Sequence, residues 1–162
     1  MNKASLYLET TIPSYYTAWV SQNLIVAAHQ AITQEWWQQE ASKYDIYISQ
    51  FVLDEAAAGD FEAAQRRLTF LNPFPLLEIT PEVEALVQTI INSRLFPIKV
   101  IQDISHIAIA SVHKMDYLLT WNCTHINHAT TKENVRRICE AEGYLFPIIC
   151  TPEELKEDTY VY

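Results

Sequence analysis

The 162-residue chain has the length and composition of one packed globular domain. Hydrophobic residues make up 49% and charged residues 19%, which excludes a disordered or fibrous chain. The 20 acidic and 11 basic residues give a net charge of −9, which argues against a broad, sequence-independent nucleic-acid surface but not against a nuclease. We see no apolar run of the ~20 residues that span a membrane, so we expect a cytoplasmic protein without membrane association.

The first half of the chain predicts two strands and three helices. A short strand ends at Leu8, and a turn-rich link over residues 10–14 follows it. A second strand is predicted over residues 45–50, and helices over residues 51–58 and 61–71. Between the two strands, residues 21–41 predict a helix whose apolar side chains share one face: Ile25, Ala28, Ile32 and Trp36.

The second half continues the alternation of strands and helices. A short strand over residues 76–79 precedes a helix that begins at Thr80-Pro81 and extends to about Arg94. The remaining elements are an apolar helix over residues 103–114, a strand over 117–121, a helix over 131–142 closed by Gly143, and a strand over 146–150.

This alternation predicts the fold class. Strands joined through helices favour right-handed crossovers and parallel pairing. We therefore expect an α/β protein, a single three-layer α/β/α sandwich with a mostly parallel central sheet. Residues 1–162 would form one domain, with residues 151–162 as an acidic C-terminal tail.

Four polar residues lie where strands are expected to end: Glu9, Glu55, Asp103 and Asn122. For Asp103 the preceding segment is residues 99–101. The carboxyl ends of parallel strands converge on one crevice, so side chains distant in sequence can meet there. Because carboxylate oxygens are ligands for hard divalent cations, the pattern predicts an acidic metal site.

Structural roles compete with this interpretation. Asp54 could be the inward residue instead of Glu55, and a carboxylate at residue 55 or 103 could simply stabilise a helix N-terminus. His106 lies three residues after Asp103, where it could orient that carboxylate, touch phosphate or pack in the core. Asp116 precedes a strand, so we expect it at the opposite edge of the sheet, outside the site.

Four segments carry a likeness to a known family. The most specific are DISHIAIA, residues 103–110, and DYLLTWN, residues 116–122. Weaker ones are YLETTIP, residues 7–13, and FVLDE, residues 51–55. With these segments the chain resembles the PIN-domain ribonucleases, which include the toxin subunits of bacterial toxin–antitoxin pairs of the VapC type.

The resemblance implies a metal-dependent endoribonuclease that uses Mg²⁺ or Mn²⁺ to hydrolyse RNA. It also implies a small antitoxin protein as partner and a homodimer. Glu9, Asp103 and Glu55 would be the metal ligands, and Asn122 would complete the catalytic set. The secondary candidates are His106 and Thr120, whose hydroxyl could bond phosphate or cap the loop.

Glu9 and Asn122 depart from the commonest pattern of the family, which has aspartate at both positions. Glutamate reaches one methylene farther, and Mg²⁺ tolerates misplaced ligands poorly. Asparagine removes one negative charge. These departures favour an alternative hypothesis, a catalytically weakened PIN-like module that binds protein or RNA.

Three other groups of residues have weaker functional interpretations. The four histidines of residues 106–128 lack the spacing of a zinc site. The three cations of residues 132–137 could form a basic edge for RNA or a solvated helix face. The five aromatic residues between positions 15 and 37 are expected in the core, whereas an exposed patch of them would indicate a partner surface.

Overall fold

The computed structural model describes residues 2–157, and their strands form one all-parallel sheet. The five strands are β1 (Ala4–Leu8), β2 (Tyr44–Ser49), β3 (Leu76–Leu77), β4 (Tyr117–Leu119) and β5 (Ile148–Cys150). Their order in the sheet is β3-β2-β1-β4-β5, and each neighbouring pair is parallel. Within residues 2–157, no helix is long and apolar enough to cross a membrane.

Seven α-helices connect the strands of the described residues. They are α1 (Thr11–Thr17), α2 (Leu24–Gln39), α3 (Gln50–Ala56), α4 (Phe61–Leu71), α5 (Pro81–Asn92), α6 (Ile101–Val112) and α7 (Ala129–Ala141). Helices α5, α6 and α7 contact one another, and α1 contacts α2 and α4. The predicted α/β fold with layers of helices on a parallel sheet is confirmed.

Capping residues set several helix ends where the sequence indicated them. The Thr80 side chain accepts the Val83 N–H at 3.3 Å, and Pro81 occupies the first position of α5. Helix α7 ends before Gly143, whose φ of 87° lies in the left-handed region that glycine adopts without a steric cost. These local signals explain why the boundaries of α5 and α7 lie close to their predicted positions.

The strand order reverses direction at β1, which is the central strand. From β1 the chain adds β2 and β3 on one side, and then returns to place β4 and β5 on the other. Leu8 of β1 pairs with Leu119 of β4, so Glu9 and Thr120, the next residues, emerge side by side at the carboxyl edge. Such a switch point is where ligands bind in open parallel sheets.

Helix α6 is the most deeply buried helix and positions one wall of this crevice. Every residue from Ile104 to Ser111 is buried. Its apolar side chains join a hydrophobic core that also includes Leu6 and Leu8 of β1. A polar side chain on this helix is therefore held by dense packing, and His106 is fully buried there.

The strand predicted before Asp103 is wrong. Within the described residues, Ile98–Val100 forms a short 3₁₀ helix that continues directly into α6. The apolar residues Ile101 and Ile104 already follow the helical period of α6, and this extends the helix toward Pro97. Asp103 thus lies in the first turn of a helix and not after a strand.

The predicted buried face of α2 is also wrong in part. Ile25 is 70% exposed, whereas Gln30, Thr33 and Trp36 are buried. The two polar side chains tolerate burial because they are hydrogen-bonded: Gln30 donates to the Trp19 carbonyl, and Thr33 accepts the indole N–H of Trp121. Trp19 itself is 79% exposed and so lies outside the core in which it was expected.

The segment predicted as an acidic tail begins as packed structure. Residues 151 and 152 are buried, and the Leu155 carbonyl accepts the indole N–H of Trp36 at 2.7 Å. Glu157 pairs with Lys43 at 2.8 Å. Residues 151–157 therefore lie against α2 and the turn after it, while residues 158–162 of the predicted tail lie outside the described residues.

Candidate metal centre

Glu9 lies at the switch point, where its carboxylate is buried and hydrogen-bonded on one oxygen. The residue is 3% exposed. Its Oε1 accepts the Thr11 N–H at 3.0 Å, the Thr11 hydroxyl, and the Thr120 hydroxyl at 2.7 Å. Thr120 follows β4 and Thr11 begins α1, so the fold itself brings these donors together. The bonds hold the Glu9 side chain in the crevice instead of letting it extend into solvent.

Glu55 reaches the same crevice from helix α3. Its Oε1 accepts the Thr10 hydroxyl at 2.7 Å and lies 2.5 Å from Nε2 of His106 on α6. The Glu55 side chain is 21% exposed, whereas the His106 side chain is completely buried. Because an ionised carboxylate only accepts hydrogen bonds, Nε2 carries the proton in this pair.

A buried chain of hydrogen bonds orients His106 from behind. Its Nδ1 lies 2.6 Å from the Tyr7 hydroxyl, which in turn lies 2.7 Å from the Ser49 hydroxyl. With the Nε2 proton directed at Glu55, Nδ1 of a neutral imidazole accepts from Tyr7, and the Tyr7 oxygen accepts from Ser49. When His106 is neutral, these bonds fix its imidazole in one tautomer and one orientation.

Three ligand atoms converge in this crevice. One atom each from Glu9, Glu55 and His106 lies within 4.8 Å of the other two, and this cluster is the metal-competent group found within residues 2–157. Two of the predicted metal ligands, Glu9 and Glu55, lie in this cluster together with the secondary candidate His106.

The second carboxylate oxygens make this cluster suitable for a cation. The hydrogen bonds to Glu9 and Glu55 within the described residues all go to Oε1. In the same residues, every fully buried side-chain nitrogen or oxygen has a hydrogen-bond partner, so each Oε2, which has none, keeps some exposed surface. Two oriented carboxylates with open oxygens are a donor set that Mg²⁺ or Mn²⁺ prefers.

The pKa values of the three groups are shifted in different directions. Burial raises the pKa of Glu9, and the His106 charge and the threonine hydrogen bonds offset this only in part. Burial also acts to raise the pKa of Glu55, but the hydrogen bond to His106, the His106 charge and the Thr10 hydrogen bond together outweigh it, and the net pKa is lowered. For His106, burial acts to lower the pKa, but the Glu55 bond and the charges of Glu9, Glu55 and Asp103 raise it overall. A cation in the crevice would offset the burial of an ionised Glu9.

Asp103 lies on α6 one turn before His106 but makes a different contact. Its Oδ2 lies 2.8 Å from Nδ1 of His125, in the loop after β4. It is not part of the three-residue cluster, although its charge contributes to the raised pKa of His106. The Asp103 side chain is partly exposed and lies one helical turn before His106, and we call this position the rim of the crevice.

Asn122 stabilises the loop after β4. Its backbone N–H donates to the Thr120 hydroxyl at 2.9 Å, and its side-chain Oδ1 accepts the His125 N–H at 2.9 Å. This amide oxygen is therefore engaged in the turn that presents His125 to Asp103. Thr120, the other candidate from this loop, binds Glu9 directly.

The structure also resolves the alternatives left open for nearby acids. Asp54 accepts a hydrogen bond from Gln50 one helical turn earlier on the exposed face of α3, so Glu55 is the inward residue. Asp116 accepts from the Ser5 N–H and hydroxyl at the amino end of β1, at the opposite edge of the sheet as expected. His113 bonds the Glu78 carbonyl and stands apart from the cluster.

Several residues of the site were missed by sequence reasoning. Tyr7 and Ser49 lie on neighbouring strands and belong to the hydrogen-bond chain behind His106. Their one signal was a polar group at a strand position that otherwise favours apolar side chains. Thr10 and Thr11 follow Glu9 directly, and their hydroxyls were available as carboxylate donors. The partnership of Asp103 with His125 had no signal in the sequence, because a loop conformation creates it.

Two of the three cations of α7 pair with acidic residues on the same helix. Arg136 and Arg137 both pair with Glu133 on the same helix, and Arg136 also pairs with Glu140. The interpretation of this segment as a solvated helix face is the one that the contacts favour.

A scan against protein-family models and a search of curated proteins found no match to this chain.

Proposed function

We propose that the protein is a metal-dependent endoribonuclease of the PIN type. The observation that carries the proposal is the convergence of Glu9, Glu55 and His106 at the switch point of a parallel sheet. Two carboxylates with open oxygens suit Mg²⁺ or Mn²⁺, the ions implied by the resemblance. Such an ion would supply Lewis-acid polarisation of a phosphate and a more acidic bound water.

The residues divide into holding and orienting roles. Glu9 and Glu55 would hold the ion through their open oxygens. Asp103 would add a third carboxylate from the rim, oriented by its bond to His125. His106 would orient Glu55 from behind, because its Nε2 is directed at the carboxylate and its Nδ1 at Tyr7. Thr120 and Thr11 would keep Glu9 in place.

The direct test is cleavage of a mixed structured RNA pool by metal-stripped protein with added Mg²⁺ or Mn²⁺. We expect cutting that EDTA abolishes and that Glu9→Gln and Asp103→Asn reduce by more than the roughly 10- to 100-fold that loss of an outer-shell group costs. Glu142→Gln is the matched control, since it removes an exposed carboxylate at the end of α7. Cutting that survives Glu9→Gln would contradict the proposed centre.

A toxin role for this nuclease makes a separate cellular prediction. Induced expression in a bacterial host should arrest growth, and Asp103→Asn should relieve the arrest without lowering the amount of protein. Co-expression of a small open reading frame adjacent to the gene should restore growth if it encodes the antitoxin. Growth arrest that is equal for wild type and Asp103→Asn would show that the arrest does not arise from cleavage.

One observation favours the alternative of a weakened binding module. The Asn122 side chain is engaged in the loop after β4, so the position that often carries a fourth acid in the family contributes no charge here. A folded, metal-loaded wild-type protein that cuts no RNA would favour this alternative. The next measurement would then be a search for its protein or RNA partner.

A further inference from the structure

A second concave feature adjoins the candidate metal centre. It is a pocket of about 300 Å³ between residues 95–100, the loop after β4 and the first turn of α7. His125 lines this pocket and also bonds Asp103 at the rim of the crevice. His125 therefore links the pocket to Asp103. We call this feature the α7 pocket.

The α7 pocket combines an apolar part with polar and basic groups. Phe96, Pro97 and Val100 provide apolar surface, and Phe96 is half-buried against the core. Lys99, His128 and Thr130 provide donors on the other walls. Within the described residues, no Asp or Glu lines it. In a chain of net charge −9, this is a local surface that an anion can approach.

These properties fit one nucleotide better than a groove for duplex RNA. The volume is at the small end of pockets that accept small molecules. Aromatic side chains bind unpaired bases by stacking, and a lysine contacts the phosphate as a point charge. Bases within a helix are stacked on their neighbours and cannot enter such a pocket. Among the described residues, Lys99 is the one lysine or arginine that lines the pocket, and Arg136 and Arg137 pair with acids along α7.

We propose that the α7 pocket binds one unpaired nucleotide of an RNA strand next to the bond to be cut, with its base against Phe96 and its phosphate near Lys99. The proposal rests on the proposed nuclease function, and it adds the position of a nucleotide-binding subsite on this chain. The path from the pocket to the carboxylates passes His125 and Asp103, whose contact fixes the loop between them.

The test measures RNA binding in EDTA, where no metal-dependent cutting occurs. A fluorescently labelled, unstructured RNA of about eight nucleotides is titrated at about 50 mM salt, and anisotropy is compared with that of a duplex of the same sequence. Lys99→Gln is compared with Lys3→Gln, which removes the same charge from an exposed residue before β1. Phe96→Leu is compared with Phe61→Leu, which changes a phenylalanine that is 75% exposed.

We expect the single strand to bind more tightly than the duplex, and Lys99→Gln and Phe96→Leu each to weaken its binding about fivefold or more. Lys99→Gln should also lower the salt-dependence slope by about one unit. Absence of wild-type binding, equal binding of duplex, or variants that match their controls would overturn the proposal. RNA binding that depends on Lys99 and Phe96, without any cutting in Mg²⁺ or Mn²⁺, would instead overturn the nuclease function and leave the α7 pocket as an RNA site.

Discussion

At the residue scale, the candidate centre differs from an ordinary cluster of surface acids because its side chains are oriented. Glu9 and Glu55 accept hydrogen bonds through one oxygen each, and the donors come from three separate parts of the chain. Exposed acids adopt many rotamers and would lose that freedom on binding an ion. Here folding has already ordered the two side chains, so less free energy is lost to ordering when an ion binds in the crevice.

The His106–Glu55 pair predicts a coupling that depends on pH. The pKa of His106 is raised, so its contribution to stability is present below its ordinary value of 6.5 and is lost as the pH rises through the raised pKa. The pKa of Glu55 is lowered, so its contribution is present above 4.5 and is lost as the pH falls through the lowered pKa. Both contributions are present between about pH 4.5 and pH 6.5, so the pair should stabilise the fold most in this range.

A double-mutant cycle measures this coupling. Wild type, His106→Asn, Glu55→Gln and the double variant are unfolded with urea in EDTA at about pH 5.5 and about pH 9. We expect a coupling of about 1.5–3 kcal/mol at the lower pH, as for hydrogen bonds between charged groups, and about 1 kcal/mol or less at the higher pH. An equal coupling at both pH values would mean that His106 does not gain its charge in the folded protein.

At the element scale, the sequence predicted elements well and side-chain partners poorly. Apolar periodicity, caps and glycines are local, so α4 and the boundaries of α5 and α7 lay near their expected positions. Glu9 and Glu55 were found because strand order brings the carboxyl ends together. The His125 partner of Asp103 depends on a loop conformation, which local patterns do not determine.

The buried side of α2 also depends on partners that local sequence patterns do not reveal. Its buried side includes Gln30 and Thr33, and their hydrogen-bond partners lie in other elements. A hydrophobic pattern counts such residues as exposed, because it cannot know which partners the fold supplies. The packed start of the C-terminal segment was missed for a similar reason, since a composition rich in acids does not reveal the bond from Trp36 to Leu155.

That bond predicts that the C-terminal segment contributes to stability. Trp36 is 1% exposed, and its indole N–H is the donor to the Leu155 carbonyl. Trp36→Phe removes the donor and part of the side-chain volume, so we expect a loss of about 1–3 kcal/mol in the free energy of unfolding. Trp19→Phe is the control, because Trp19 is 79% exposed and should change stability by no more than about 0.5 kcal/mol. Urea unfolding monitored by circular dichroism measures both, and equal losses would contradict a specific role for the Trp36 contact.

At the scale of the whole molecule, net charge complicates any claim of specific metal binding. A chain with a net charge of −9 attracts divalent cations to its entire surface. Stabilisation by added Mg²⁺ or Mn²⁺ is therefore insufficient to identify the crevice. The informative quantity is the part of the stabilisation that depends on Glu9, which is buried and belongs to the cluster.

Thermal unfolding with Mn²⁺ isolates that part. An ion at about 100 times its Kd stabilises the folded state by about 2.7 kcal/mol, which for a chain of this length raises Tm by roughly 5–10 °C. Glu9→Gln keeps the Oε1 acceptor of the three hydrogen bonds but loses the charge, so the stabilisation by Mn²⁺ should nearly disappear. Without metal, Glu9→Gln should unfold at a higher Tm than wild type near neutral pH, because a carboxylate with a raised pKa destabilises the fold as the pH rises through that pKa. Glu142→Gln changes net charge equally at an exposed position and should retain the full Mn²⁺ response. If Glu9→Gln and Glu142→Gln respond alike, the ion binds the acidic surface at large and the crevice is not a metal centre.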